Sequence, residues 1–205
     1  MLHMDGARVF NAAEYLGLPV ARVARDVDSV CFCLSKNLCC PVGSLLVGSK
    51  PFIEKARRFR KALGGGMRQV GFLAAAGLCA LDTIVPLLKL DHQHTRQLAE
   101  AINNLKSSIF SVDLQNLHTN ILMIKVADNP KNITALGLSN RLTEVKEAEV
   151  FDGITDKEQK PIIIKSNCKN MSTLRVVFYH QIDDELTELA AKKMVYVMKE
   201  MEKQV

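Results

Sequence analysis

The chain has 205 residues, 48% apolar, 24% charged and with a net charge of +5. That is enough apolar material for one sizeable domain or two small ones, and it excludes a disordered chain. With no tryptophan, 5% aromatics and no finger spacing or aromatic-interleaved basic stripe, the composition argues against a nucleic-acid binder.

Leu2-His3-Met4 reads as the tail of a strand that opens at Asp5-Gly6, and a helix is expected from about Arg8 to Leu16, stopped by Gly17 and Pro19. Val30 to Leu34 is a continuous apolar run of strand length. Because it is apolar on both faces, it points to a covered parallel sheet. Lys36 follows through Ser35. A lysine at the end of a buried strand is well placed to lose water, which favours the neutral amine that attacks carbonyls. Pro41-Val42-Gly43 makes a turn, Ser44 to Val47 a strand, and Gly48-Ser49 opens a helix from Pro51 to about Leu63.

The charge excess is local. Lys50, Lys55, Arg57, Arg58, Arg60, Lys61 and Arg68 face only Glu54, a cluster suited to nucleic acid, an anionic membrane or a small phosphate. Gly64-Gly65-Gly66 breaks the basic helix. Met67 to about Leu88 is helical and apolar nearly all round, as in a helix buried in a core or an interface. Its ion-free stretch, Val70 to Leu81, is too short to cross about 30 Å of bilayer, so no membrane span is expected. Met1 to Asp5 lacks the features of a signal peptide.

A polar helix from about Gln93 to Leu105 follows, with His92 and His94 read as solvated. His118 to Val126, Pro161 to Lys165 and Leu174 to Tyr179 are expected strands, Ile133 to Glu144 a helix, and Asp183-Asp184-Glu185 the acidic start of a final helix. The expected division is a partial α/β domain over residues 1–89 and a smaller α+β domain over 90–205. Cys31, Cys33, Cys39, Cys40, Cys79 and Cys168 read as buried thiols of a cytoplasmic protein. Their spacing matches no common zinc pattern, so no metal is expected.

Three segments, His3-Met4-Asp5-Gly6-Ala7-Arg8, Ser29 to Lys36 with Pro41-Val42-Gly43-Ser44, and Lys61 to Gln69 around the triple glycine, resemble the L-threonine aldolases. The resemblance implies the pyridoxal phosphate-dependent, aspartate-aminotransferase-like fold (fold type I). This chain would correspond to the C-terminal part of the large α/β domain plus the small α+β domain of an N-terminally truncated member. It also implies a lyase that cleaves L-threonine or a related beta-hydroxy-alpha-amino acid to glycine and an aldehyde. An inactive fragment, and a beta-eliminating lyase or aminotransferase of the same fold, are the alternatives.

Carried over residue by residue, the resemblance makes Lys36 the catalytic lysine that holds pyridoxal 5'-phosphate, and Asp5 the partner of the ring nitrogen. Arg8 lies near the cofactor and the substrate carboxylate, and Arg175 grips that carboxylate in bidentate fashion. Lys61 and Arg68 reach a substrate site at a subunit interface, which implies a homodimer or homotetramer. Without the motifs, Asp5 would read as a helix cap, Arg8 and Lys36 as solvated cations, and the glycines as a hinge. The chain departs from the family pattern at Asn37, where glycine is usual, at Cys40, where alanine is common, and at Tyr179, where a histidine is common. Asn37 could keep a left-handed turn.

Overall fold

The computed structural model describes residues 1–203, which divide into two compact units, one over residues 1–89 and a second that begins at Leu90. In the first unit β1 (His3–Asp5) pairs in parallel with β2 (Ser29–Cys33), and β2 pairs antiparallel with β3 (Ser44–Gly48). The parallel step is bridged by α1 (Val9–Leu16) and the single turn α2 (Val20–Val23). The sheet is therefore mixed, where a parallel layer was expected. The ten residues from Leu34 to Gly43 hold no helix and are too few for a parallel crossover, so the chain has to turn back.

Helix α1 ends at Gly17 in the left-handed region, where the Gly17 and Leu18 N–H groups return to the carbonyls of Glu14 and Ala13. Its Phe10 packs edge-on against Phe32 of β2, with ring centroids 5.2 Å apart. Together with Val9, Leu34, Leu38, Cys40 and Ala80 these residues make the core of this unit. The basic helix α3 (Lys50–Ala62) follows β3 and buries none of its residues.

Helix α4 (Gly71–Thr83), expected in a core or an interface, is not buried within the core of this unit. Only Gly77 and Ala80 are buried, while Phe72 is 85% and Leu78 65% exposed. The helix approaches through its small face: a Cβ on Gly77 would stand 3.2 Å from Leu34. The large apolar side chains are thereby turned outward.

Helix α5 (Leu88–Asn104) leads into the second unit. There β4 (Phe110–Val112), β5 (Ile121–Val126), β6 (Asn167–Asn170) and β7 (Thr173–Val177) form an antiparallel sheet in the order β4-β5-β7-β6. One face, with Leu122, Ile124, Val126 and Leu174, packs on residues of α5, α6 (Ala135–Thr143) and α8 (Asp184–Lys203). The expected strand at Pro161–Lys165 is absent apart from an isolated bridge between Thr155 and Pro161, and the edge position belongs to the polar β6. Among the described residues no single helix is long and apolar enough to cross a membrane.

A short helix, α7 (Glu147–Phe151), places Glu149 inside this unit, where its carboxylate pairs with both Arg141 and Lys193. Lys193 has 0% exposure and also donates to the Glu144 carbonyl at 2.7 Å. Arg141 continues to Glu200, which Lys146 also meets, both at 2.6 Å. His94 was read as solvated and is instead buried, its Nε2 lying 2.8 Å from Asp184 Oδ1 at the start of α8.

Candidate active site

The loop after β1 and the turn after β2 leave the same end of a parallel strand pair, so the residues on them are brought together by the sheet itself. Asp5 stands beside Cys31 in register, and the Gly6 N–H extends the pairing to the Cys31 carbonyl at 2.8 Å. Asp5 Oδ1 accepts the Ala7 N–H at 3.2 Å, which orients the carboxylate within its loop. Burial pushes the Cys31 thiol up, the neighbouring Cys33 and Asp5 push it further, and the Lys36 ammonium opposes them. One thiol thus feels both groups, which lie at the same end of the β1–β2 pair, Asp5 at the end of β1 and Lys36 in the turn beyond β2.

Lys36 is exposed in this structure, contrary to the expectation that it would be withdrawn from water. It sits in the turn beyond β2, not on the strand itself, and among the described residues Nζ makes no hydrogen bond or ion pair. The turn is closed by the Cys39 N–H donating to the Lys36 carbonyl at 2.9 Å. The left-handed residue in it is Cys39, with φ 59°, and not Asn37. Asn37 is buried and accepts a hydrogen bond from Arg8 Nε at 3.1 Å. That bond links residues 29 apart, and no pattern in the local sequence announces it.

Lys61 and Arg68 are exposed, Lys61 in the last turn of α3 and Arg68 beyond the triple glycine. The stem of Lys61 lies against Gly66, where a Cβ would come within 2.8 Å of it. Neither makes a hydrogen bond or ion pair with Asp5 or Lys36 among the described residues. Arg175 belongs to the second unit. It stands half-buried on the outer face of the sheet, in register between Met123 of β5 and Asn167 of β6, and makes no hydrogen bond or ion pair among the described residues. His180 lies beyond the end of β7.

Of the six cysteines only Cys40 is fully buried, which burial and the nearby Cys79 reflect by pushing its thiol up. Among the described residues no group of three or more histidine, cysteine or acidic side chains is placed to hold a metal ion.

The family model of the beta-eliminating lyases matches residues 1–129. Low-specificity L-threonine aldolase 1 of Arabidopsis thaliana is 42% identical over 181 residues, 88% of this chain and 45% of that protein. The low specificity L-threonine aldolase of Escherichia coli K12 is 43% identical over 136 residues, 66% of this chain and 39% of that protein. The chain spans about half the length of the curated relatives it matches or less.

Among solved structures, one from Exiguobacterium sp. 255-15, provisionally described as an aromatic amino acid beta-eliminating lyase/threonine aldolase, matches 95% of this chain and 52% of its own. The TM-score is 0.70 at 17% identity. The Sphingomonas wittichii serine palmitoyltransferase matches 89% of this chain and 42% of its own, with a TM-score of 0.62 at 15% identity. These likenesses give the fold type I architecture expected from the motifs. The family match covers more than half of the residues and includes the whole Asp5–Lys36 patch, so the chain belongs to the beta-eliminating lyase family.

Proposed function

We propose that this chain carries the lysine-bearing part of a pyridoxal phosphate-dependent lyase that cleaves L-threonine, or a related beta-hydroxy-alpha-amino acid, to glycine and an aldehyde. The observation that carries this reading is that the Asp5 loop and the Lys36 turn leave the same end of the parallel β1–β2 pair. The donor set fits the cofactor at two ends: an amine for its aldehyde and a carboxylate for its ring nitrogen. When bound, the cofactor supplies an electron sink for the bond being broken.

The chain's own residues do the rest. Lys36 Nζ, which makes no hydrogen bond or ion pair among the described residues, would hold the cofactor through its aldehyde. Asp5, steadied by the Ala7 N–H, would face the ring nitrogen and favour its protonated form. Arg8 in the first unit and Arg175 in the second are each read as a candidate ligand for the substrate carboxylate. Arg175 is half-buried and makes no hydrogen bond or ion pair among the described residues, which favours an anion, because a charge-assisted, bidentate pair satisfies a guanidinium. Lys61 and Arg68 belong to this reading as cations that approach the substrate across a subunit interface in a homodimer or homotetramer. Exposed Phe72 and Leu78 on α4 support such an association. Six reduced thiols suit the cytoplasm.

A second reading is an inactive member of the same family, favoured by the exposure of Lys36 and of Leu45, Leu46 and Val47 on β3. A third, elimination of a beta substituent or amino transfer, uses the same residues, since the pocket chooses the reaction. Adding pyridoxal phosphate to purified protein should give the absorbance of lysine-bound cofactor, absent in Lys36→Ala, and L-threonine should then yield glycine. Well-folded protein without that band favours the inactive member. A band with keto-acid or elimination products in place of glycine selects the third reading.

A further inference from the structure

We propose that the second unit carries a binding site for a small carboxylate with an apolar body, such as a medium-chain fatty acid, in a cavity lined by β7, α8 and the unpaired chain that leads to β6. It shares no residue with the Asp5–Lys36 site and does not depend on the lyase reading.

The cavity has a volume of about 370 Å³ and lies where the expected strand at Pro161–Lys165 does not form. Ile162, Ile163 and Ile164 line it without joining the sheet, and their stretch is tied down by the Ile164 N–H, which donates to the Leu142 carbonyl at 3.0 Å. Val176 of β7 and, one turn apart on α8, Leu186 and Ala190 line it as well. Its floor is the core itself, since Leu98 and Phe178 are buried there. Its mouth is apolar too: Ile163, Tyr179 and Leu186 stay exposed around it. Large apolar side chains left in water around one cavity favour an apolar occupant. At a liquid-like share of about 30 Å³ per non-hydrogen atom, the space holds roughly a dozen atoms, a chain of about ten carbons with a small head group.

The head group follows from charge. Among the lining residues only Lys165 and Tyr179 carry polar side-chain groups, an ammonium with donors only and a phenol that can donate. Neither side chain makes a hydrogen bond or ion pair among the described residues. The acids between Ile182 and Leu186 are engaged elsewhere: Asp183 accepts the Leu186 N–H and Asp184 lies against His94, each at 2.8 Å, and Glu185 pairs with Lys157. An arriving carboxylate therefore meets a free cation and a free hydroxyl. An amine would meet the same cation as a repulsion, and an alcohol would leave its charge unanswered.

Decanoate is the probe, titrated into the full chain below its micelle concentration and followed by calorimetry and methyl NMR, with decanol as the uncharged control. Decanoate should occupy one saturable site and shift the methyl resonances of Ile163, Ile182 and Leu186, leaving Val9 in the first unit unmoved. Decanol should bind about 2- to 5-fold more weakly, the range for an exposed ion pair. Lys165→Gln should weaken decanoate by a similar factor and leave decanol unchanged. Ala190→Phe, which fills the cavity, should remove both.

Decanol as tight as decanoate, or a decanoate Kd untouched by Lys165→Gln, overturns the carboxylate assignment. Binding that does not saturate, that moves the methyls of both units alike or that survives Ala190→Phe overturns the site, and wild-type protein alone suffices for the first two. A decanoate affinity that falls as the protein is concentrated would mean that a second copy of the chain fills the cavity, which overturns the proposal as well.

Discussion

Asp5 and Cys31 stand side by side across the parallel β1–β2 pair, and one residue on, the Gly6 N–H donates to the Cys31 carbonyl at 2.8 Å. That closeness depends on glycine. A Cβ on Gly6 would come within 2.9 Å of Val30 Cγ1 and 3.3 Å of the Cys31 oxygen. Gly6→Ala should cost about 1–3 kcal/mol of stability through overpacking. Because it also pushes the Asp5 loop off the sheet, cofactor uptake should weaken. Chemical denaturation together with cofactor titration checks both, and an unchanged midpoint would contradict the close approach.

The lysine turn stores strain at Cys39, a side-chain-bearing residue at φ 59°. Cys39→Gly removes a left-handed penalty of about 1–2 kcal/mol, offset by the greater freedom of glycine in the unfolded chain, about 0.5–1 kcal/mol. A net gain of up to about 1.5 kcal/mol is expected in a urea titration. A clear loss would mean that the turn does not adopt this backbone.

In the second unit the Glu149 carboxylate serves two cations, Arg141 and the fully buried Lys193. Glu149→Gln leaves that ammonium uncompensated and should cost about 3–5 kcal/mol. Adding Lys193→Met to the same background should recover part of this, since an apolar side chain of similar length replaces the stranded charge. Equal losses in the single and double variants would refute the pairing as the cause.

Burial alone would raise the Glu200 carboxyl, but hydrogen bonds from Lys146 and Arg141 outweigh it and hold it below the usual 4.5. A depressed carboxyl contributes stability that is fully present above its unfolded value. That contribution is lost as pH falls from 4.5 through the lower folded value. Urea midpoints should therefore decline across this acid range, and more shallowly in Glu200→Gln. Parallel declines in the two proteins would show that other carboxylates dominate.

Much of the patch around Lys36 is written locally. An apolar run before the lysine and an Asp-Gly step after a short strand are signals a few residues long, and both strands appear where those signals lie. What escaped depends on partners distant in sequence. The acceptor role of Asn37 needs Arg8, 29 residues upstream, and the hydrogen bond of His94 needs Asp184, 90 residues downstream. β6 escaped because Asn167-Cys168-Lys169-Asn170 is an edge strand with little apolar alternation to betray it. For α4 a helix apolar nearly all round has no face that its pattern singles out. Close packing selects small residues such as Gly77 and Ala80, so which side meets the core is decided by side-chain size and not by hydrophobicity.

The sealed ammonium of Lys193 also makes the chain its own folding gauge. Acylating reagents modify amines they can reach, and this one is reached only when α8 separates from Glu149 and the Glu144 carbonyl. Mass-spectrometric labelling at Lys193, timed against a surface amine such as Lys61, would report how often the second unit opens in solution, with no dye or probe attached.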